Sequence, residues 1–252
     1  MSIKNLLFDL DGTLLPMETE RFVGDYMKRL CEKVAPFGYE PKKLVTAVWK
    51  GMEAMIRNDG SRLNEAAFWE VFQRELGDQI REYEGVFLDF YENEFQEVAK
   101  SCGYHPMAKE TVRELKKMGY HLILATNPVF PPVATHSRVR WAGLAPENFE
   151  YITTYDNSSY CKPNPLYYRE LVEKLGLDPK ECLMVGNDVE EDMVAGQLGM
   201  EVFLLTDCLI NKKEKPTNGY PQGSFEELLA YVEKLEENEY ENSKNNGGQS
   251  IY

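Results

Sequence analysis

Apolar positions along the chain follow two different rhythms. Residues 3–8 form an apolar run of strand length, cut off by Asp9-Leu10-Asp11-Gly12-Thr13. A continuous rather than alternating run is the mark of a parallel strand covered on both faces. Between residues 17 and 105 the rhythm turns helical. Phe22, Tyr26 and Leu30 recur every four residues, as do Leu44, Val48, Met52 and Ile56. Phe68, Phe72 and Leu76 make a third stripe, and Phe87, Tyr91 and Phe95 a fourth. That spacing lines one face of a helix. Breaks at Pro36-Phe37-Gly38, Asn58-Asp59-Gly60 and Gly77-Asp78 separate four such segments. Four amphipathic helices without strands predict a bundle whose core these aromatics fill.

From residue 106 onward, helical and apolar segments alternate. A helix over 108–118 is stopped by Gly119, another over 165–175 by Gly176, and a third is expected around 190–198. Strand candidates lie at 122–126, 151–153, 182–186 and 202–205. This alternation implies βαβ units and a parallel sheet. The opening strand has no other sheet to join. Residues 1–16 and 106–235 are therefore expected to form one α/β core, with the all-helical 17–105 inserted into it. The connections fall at 15–17 and 102–106, where Pro16, Gly103 and Pro106 mark a two-linker hinge. Residues 226–252 hold seven acids and two lysines, net −5, and 236–252 read as a polar, flexible tail.

Charge and cysteine content narrow the function classes. The 252 residues carry 28 Lys+Arg against 42 Asp+Glu, a net charge of −14. Without a basic run, such a chain repels a nucleic-acid backbone. Five scattered cysteines with no CxxC pair indicate neither a disulfide framework nor a zinc knuckle. The N-terminus meets aspartate too soon for a signal peptide, and no apolar run reaches the ~20 residues of a membrane helix. A soluble, cytoplasmic protein is expected.

The polar residues that end the strands carry the chemistry, because functional groups collect beyond the carboxyl ends of a parallel sheet. The first strand ends in Asp9, with Asp11 two residues on. The second ends in Thr126-Asn127, the next segment leads to Lys162-Pro163, and the 182–186 strand ends in Gly186-Asn187-Asp188, followed by Asp192. Four carboxylates gathered at one edge need a cation to stay ionised. With no His or Cys cluster beside them, a hard ion such as Mg²⁺ is favoured. Lys162 supplies a point charge for a phosphate, and Thr126 and the Asn127 N–H supply oxyanion donors. Together these describe a phosphoryl-transfer site, with Asp9 as nucleophile and Asp11 as acid and base. Cap charges at Arg21, Lys50, Arg57 and Arg62 either meet an anionic substrate or are simply solvated. The proline-rich segment 127–132 is expected to be a rigid turn opening the next helix, a part of the substrate wall, or both.

Asp9-Leu10-Asp11-Gly12-Thr13 resembles the first signature of the haloacid dehalogenase-like (HAD) hydrolases. Residues 122–126 resemble the second signature, Lys162-Pro163 the third, and Gly186-Asn187-Asp188 with Asp192 the fourth, all in the family's order. The resemblance implies a Rossmann-like sheet and a helical C1-type cap over 17–105. It implies Mg²⁺ held by the Asp9 carboxylate, the Asp11 carbonyl and Asp188, with Asp192 in support. Thr126 and Lys162 would hold the phosphoryl group. The expected activity is Mg²⁺-dependent hydrolysis of a small phosphorylated metabolite through an aspartyl-phosphate. The alternatives are a 2-haloacid dehalogenase or phosphomutase of the same superfamily, or a non-catalytic phospho-receiver. Asp11 argues against the dehalogenase, because dehalogenases of this kind lack that aspartate. Substrate and oligomeric state are not legible at this level.

Overall fold

The computed structural model describes residues 2–247. Six strands, β1 (Asn5–Phe8), β2 (His121–Leu124), β3 (Tyr151–Ile152), β4 (Cys182–Gly186), β5 (Glu201–Leu205) and β6 (Gln222–Gly223), form one sheet in the order β3-β2-β1-β4-β5-β6. All neighbours are parallel, and Phe8 pairs with Leu124 on one side and Val185 on the other. The chain winds outward through β2 and β3, then returns to β4 on the opposite side of β1. The crevice beyond β1 and β4 is thus the topological switch point, where α/β sheets place ligands.

The continuous apolar runs follow from burial on both faces. Leu6 and Phe8 point into one core with Leu122, Leu124, Leu183 and Val185. Leu7 points into the other, with Ile123, Met184 and Leu204. The first face is covered by α5 (Pro106–Lys117) and α8 (Phe225–Gly247), through Val112, Leu115 and Leu228. The second is covered by α7 (Pro165–Leu175) and a 3₁₀ stretch at Met193–Leu198. Helix α7 ends at Gly176 in the left-handed conformation, the usual helix stop.

Between β1 and β2 lies a helical lobe of α1 (Thr19–Val34), α2 (Pro41–Ile56), α3 (Asn64–Leu76) and α4 (Glu84–Glu92). Its core gathers the periodic aromatics, including Phe22, Tyr26, Phe72 and Phe95, and reaches Ala134 of α6 (Pro132–Trp141). The two connections run side by side. Met17 bridges Cys102, and the Gly103 N–H donates to the Pro16 carbonyl at 2.7 Å.

Two local expectations are corrected, and part of the expected polar tail is helical. The fourth stripe is not one helix: α4 stops at Asn93, and Glu94–Ser101 continues as 3₁₀. Asn93 Nδ2 donates to the Asp89 carbonyl and carboxylate, competing with the helix ladder. The helix expected around 190–198 is likewise reduced to the 3₁₀ turns at Met193–Leu198. The Asp188 carboxylate there claims the N–H groups of Glu190 and Glu191. Finally, residues 236–247, expected to be a flexible tail, continue α8. No Gly or Pro interrupts 225–246, and Tyr120 donates to Glu236 at 2.9 Å. Residues 248–252 lie outside the described residues.

Candidate active site

Asp9 follows directly on β1, and its N–H donates to the Val185 carbonyl at 2.9 Å, so its backbone is fixed by β4. The chain then turns at Gly12, whose φ is +87°. A Cβ at Gly12 would collide with the Asn187 side chain, so both the backbone angle and the close approach require glycine. The turn carries Thr13 back beneath the carboxylate. Its hydroxyl lies 3.1 Å from Asp9 Oδ2 and 2.9 Å from Asn187 Oδ1, joining the ends of β1 and β4.

Lys162 is the centre of the cluster. The residue is 1% exposed, and Nζ donates to Asp9 Oδ1 at 2.9 Å and Asp192 Oδ1 at 2.7 Å. The rings of Tyr167 and Tyr168 each lie 5.9 Å from the ammonium. Burial opposes its charge and is the largest single effect. Asp192 and Asp9 together outweigh it and hold the lysine well above its ordinary pKa. Asp192 also accepts from the Asp188 N–H through Oδ2 at 2.9 Å. The Asp192 carboxylate packs so close to Gly186 that a Cβ there would overlap it. Asp188 leaves β4 at the same edge as Asp9 leaves β1.

Thr126 and Asn127 follow β2. Thr126 is buried, and its carbonyl accepts from Thr153 Oγ1 at 2.7 Å and from the Tyr167 hydroxyl at 3.0 Å. Asn127 Nδ2 donates to Glu191 Oε2 at 3.1 Å. Burial pushes the Glu191 carboxyl up to about 7, with Lys162 pulling it down in part.

Asp11 stands apart from the Lys162 cluster. Its Oδ2 accepts from Arg138 Nη1, and the arginine side chain is 1% exposed against 29% for the aspartate. The Arg138 guanidinium lies over the Phe130 ring at 4.4 Å and also donates to Thr135. Burial raises the Asp11 pKa, against the lowering pull of Arg138.

Sequence reasoning missed Arg138 and Asn64, and it named Thr13 only as part of the first signature, without a role. Asn64, at the start of α3, is fully buried. Its Nδ2 lies 3.3 Å from the Pro128 and Tyr160 carbonyls, tying the helical lobe to the loop after β2. Nothing in an isolated Asn-Glu pair signals this. The lobe charges are spent elsewhere: Lys50 pairs with Glu75, Arg57 with Glu53 and Arg62 with Glu70, while Arg21 donates to the Lys100 carbonyl.

Among the described residues, no three Asp, Glu, His or Cys side chains form a metal-holding group. Two carboxylates with a main-chain carbonyl do not require such a group. Asp11 Oδ1 and Asn127 Oδ1 are buried oxygens without a hydrogen-bond partner, and the available donors are all oxygens. That chemistry fits a hard ion.

A family model described as haloacid dehalogenase-like hydrolase matches residues 3–199. The chain is 30% identical over 205 residues to a phosphoglycolate phosphatase of Vibrio vulnificus (strain CMCP6), covering 81% of this chain and 84% of the relative. It is 27% identical over 200 residues to the pyrophosphatase PpaX of Bacillus cereus (strain AH820), covering 78% and 80%. The fold is similar to the crystal structure of a HAD phosphatase from Thermococcus onnurineus, with a TM-score of 0.57, 20% identity and coverage of 91% and 97%. Among the described residues, no helix is long and apolar enough to cross a membrane.

Proposed function

The chain belongs to the haloacid dehalogenase-like hydrolases, and on that premise we propose that it is a Mg²⁺-dependent phosphomonoesterase acting on a small phosphorylated metabolite through an aspartyl-phosphate. The observation that carries this reading is the buried Lys162 ammonium, held between Asp9 and Asp192 at the switch point. Phosphatase-named relatives at 27–30% identity support the reaction class. Residues 17–105 are taken as a cap that opens on the paired connections at 16–17 and 102–103 and closes to exclude water.

The roles follow from placement. Lys162, the Thr126 hydroxyl and the Asn127 N–H draw the phosphoryl oxygens toward the end of β1. The Asp9 carboxylate attacks phosphorus, the bond from phosphorus to the leaving oxygen breaks, and that oxygen takes a proton from Asp11. Asp11 Oδ1 is the free oxygen for this transfer, since Oδ2 is held by Arg138. Asp11 then takes a proton from water as the water attacks phosphorus, releasing phosphate and restoring Asp9. Mg²⁺, held by the Asp9 and Asp188 carboxylates and the Asp11 carbonyl, would offset the negative charge gathered there. Asp192 supports the set from behind, by fixing Lys162 and the Asp188 turn.

The test is phosphate release by Asp9→Asn against the parent, with and without chelator. The expected result is loss of release in the variant with its circular dichroism unchanged, and loss in the parent on chelation. Wild-type release by Asp9→Asn in Mg²⁺ overturns the assignment.

A further inference from the structure

Between the helices of the lobe and residues 129–133, which follow β2, lies a cavity of about 300 Å³. A cavity of about 150 Å³ is enough to bind benzene, so this one has room for a substituted or bicyclic ring. Its walls are aromatic, including Phe68, Trp69, Phe87 and Phe130. Phe130 makes the link to the chemistry, for the Arg138 guanidinium that holds Asp11 lies over the same ring. The wall continues through Val129 and Pro131 in the loop that follows Asn127. The lobe is fastened to that loop through Asn64, and the Glu65 N–H donates to the Tyr155 carbonyl at 2.8 Å.

The charge of the lining is as informative as its shape. No Lys, Arg or His lines the cavity, whereas Glu65 and Glu84 both do. Glu84 is already paired with Arg81, which lies outside the lining over Trp69. The hydroxyls of Tyr26 and Tyr91 bond each other at 3.0 Å. A second anionic group on the substrate would therefore be desolvated beside carboxylates, with no cation to receive it. An apolar group would gain about fourfold in affinity for each methylene buried.

We propose that this cavity receives the organic portion of the substrate, and that the chain selects aromatic or otherwise apolar phosphomonoesters carrying no second negative charge. The proposal rests on the phosphatase reading above and separates this chain from relatives named for phosphoglycolate and pyrophosphate.

Gly85 provides a clean variant. It lines the cavity within α4, and a Cβ there meets nothing within 4 Å. A helical glycine can be replaced without backbone strain, so Gly85→Phe adds an aromatic side chain at the cavity rim with no clash at Cβ. Phosphate release is measured with 2-naphthyl phosphate, phosphoglycolate and inorganic pyrophosphate, and 2-naphthol binding is followed by tryptophan fluorescence. The expected kcat/KM for 2-naphthyl phosphate exceeds that for the two anionic compounds by about 100-fold, and Gly85→Phe weakens 2-naphthol binding at least tenfold. Preference for phosphoglycolate or pyrophosphate, with 2-naphthol binding indifferent to Gly85→Phe, overturns the proposal and leaves the phosphatase reading intact. Binding of 2-naphthol that Gly85→Phe abolishes, with no phosphate released from any compound, upholds the cavity and overturns the phosphatase reading.

Discussion

Arg138 and Asp11, 127 positions apart in sequence, form an ion pair in which the arginine is almost wholly buried. The pair joins the turn after β1 to α6, and it holds one oxygen of Asp11 while the other is left without a partner. Removing the arginine strands a half-buried carboxylate and opens a gap against Phe130. Arg138→Met should therefore cost about 3 kcal/mol in urea unfolding and slow phosphate release, because Asp11 loses its orientation. Arg138→Lys should restore only part of either, since an ammonium cannot keep the forked contacts to Asp11 and Thr135. Equal stability in Arg138→Met and the parent contradicts this.

Lys162 sets the alkaline limit of the fold. Its pKa is raised above the ordinary lysine value of 10.5 in the native state. A group whose pKa is raised by folding stabilises fully below its unfolded pKa, and that contribution is lost as pH rises through the native value. The urea midpoint should hold up to about pH 10 and fall above about pH 10.5. Tyr167 and Tyr168, whose pKa values burial itself raises, add in the same direction. Lys162→Met should show a shallower alkaline loss and a lower midpoint at neutral pH, because Asp9 and Asp192 then share no cation.

Asn64 couples the helical lobe to the sheet. Beside its contacts to Pro128 and Tyr160, its Oδ1 accepts from Asn58 Nδ2 at 2.9 Å. Asn64→Leu leaves the Asn58 amide and both carbonyls short of a partner, at about 1–3 kcal/mol. The expected readout is faster hydrogen exchange in residues 127–131, with a raised KM for substrate. Unchanged exchange there counts against a coupling role.

The sheet was legible because both of its faces are buried, so β1 and β4 read as apolar runs that end where their carboxylates begin. The bundle was legible because its aromatics repeat at helical spacing. What escaped depended on contacts between distant segments. Arg138 and Arg140 sit two apart on one short helix, and nothing local tells which is buried against Asp11. Asn64 reads as an ordinary helix opening, and the two carbonyls it reaches lie in loops over 60 residues away. The two-residue β6 is too short for any periodicity. Asp192 was legible only as a carboxylate near the fourth signature; its hold on Lys162 is a tertiary fact.

The most direct measurement is to quench the enzyme in acid during turnover of 2-naphthyl phosphate with Mg²⁺ and map the phosphorylated peptide by mass spectrometry. A phosphoryl group on Asp9 is the expected result, absent from Asp9→Asn. A phosphoryl group on any other side chain, or steady phosphate release from Asp9→Asn, would contradict nucleophilic attack from the end of β1.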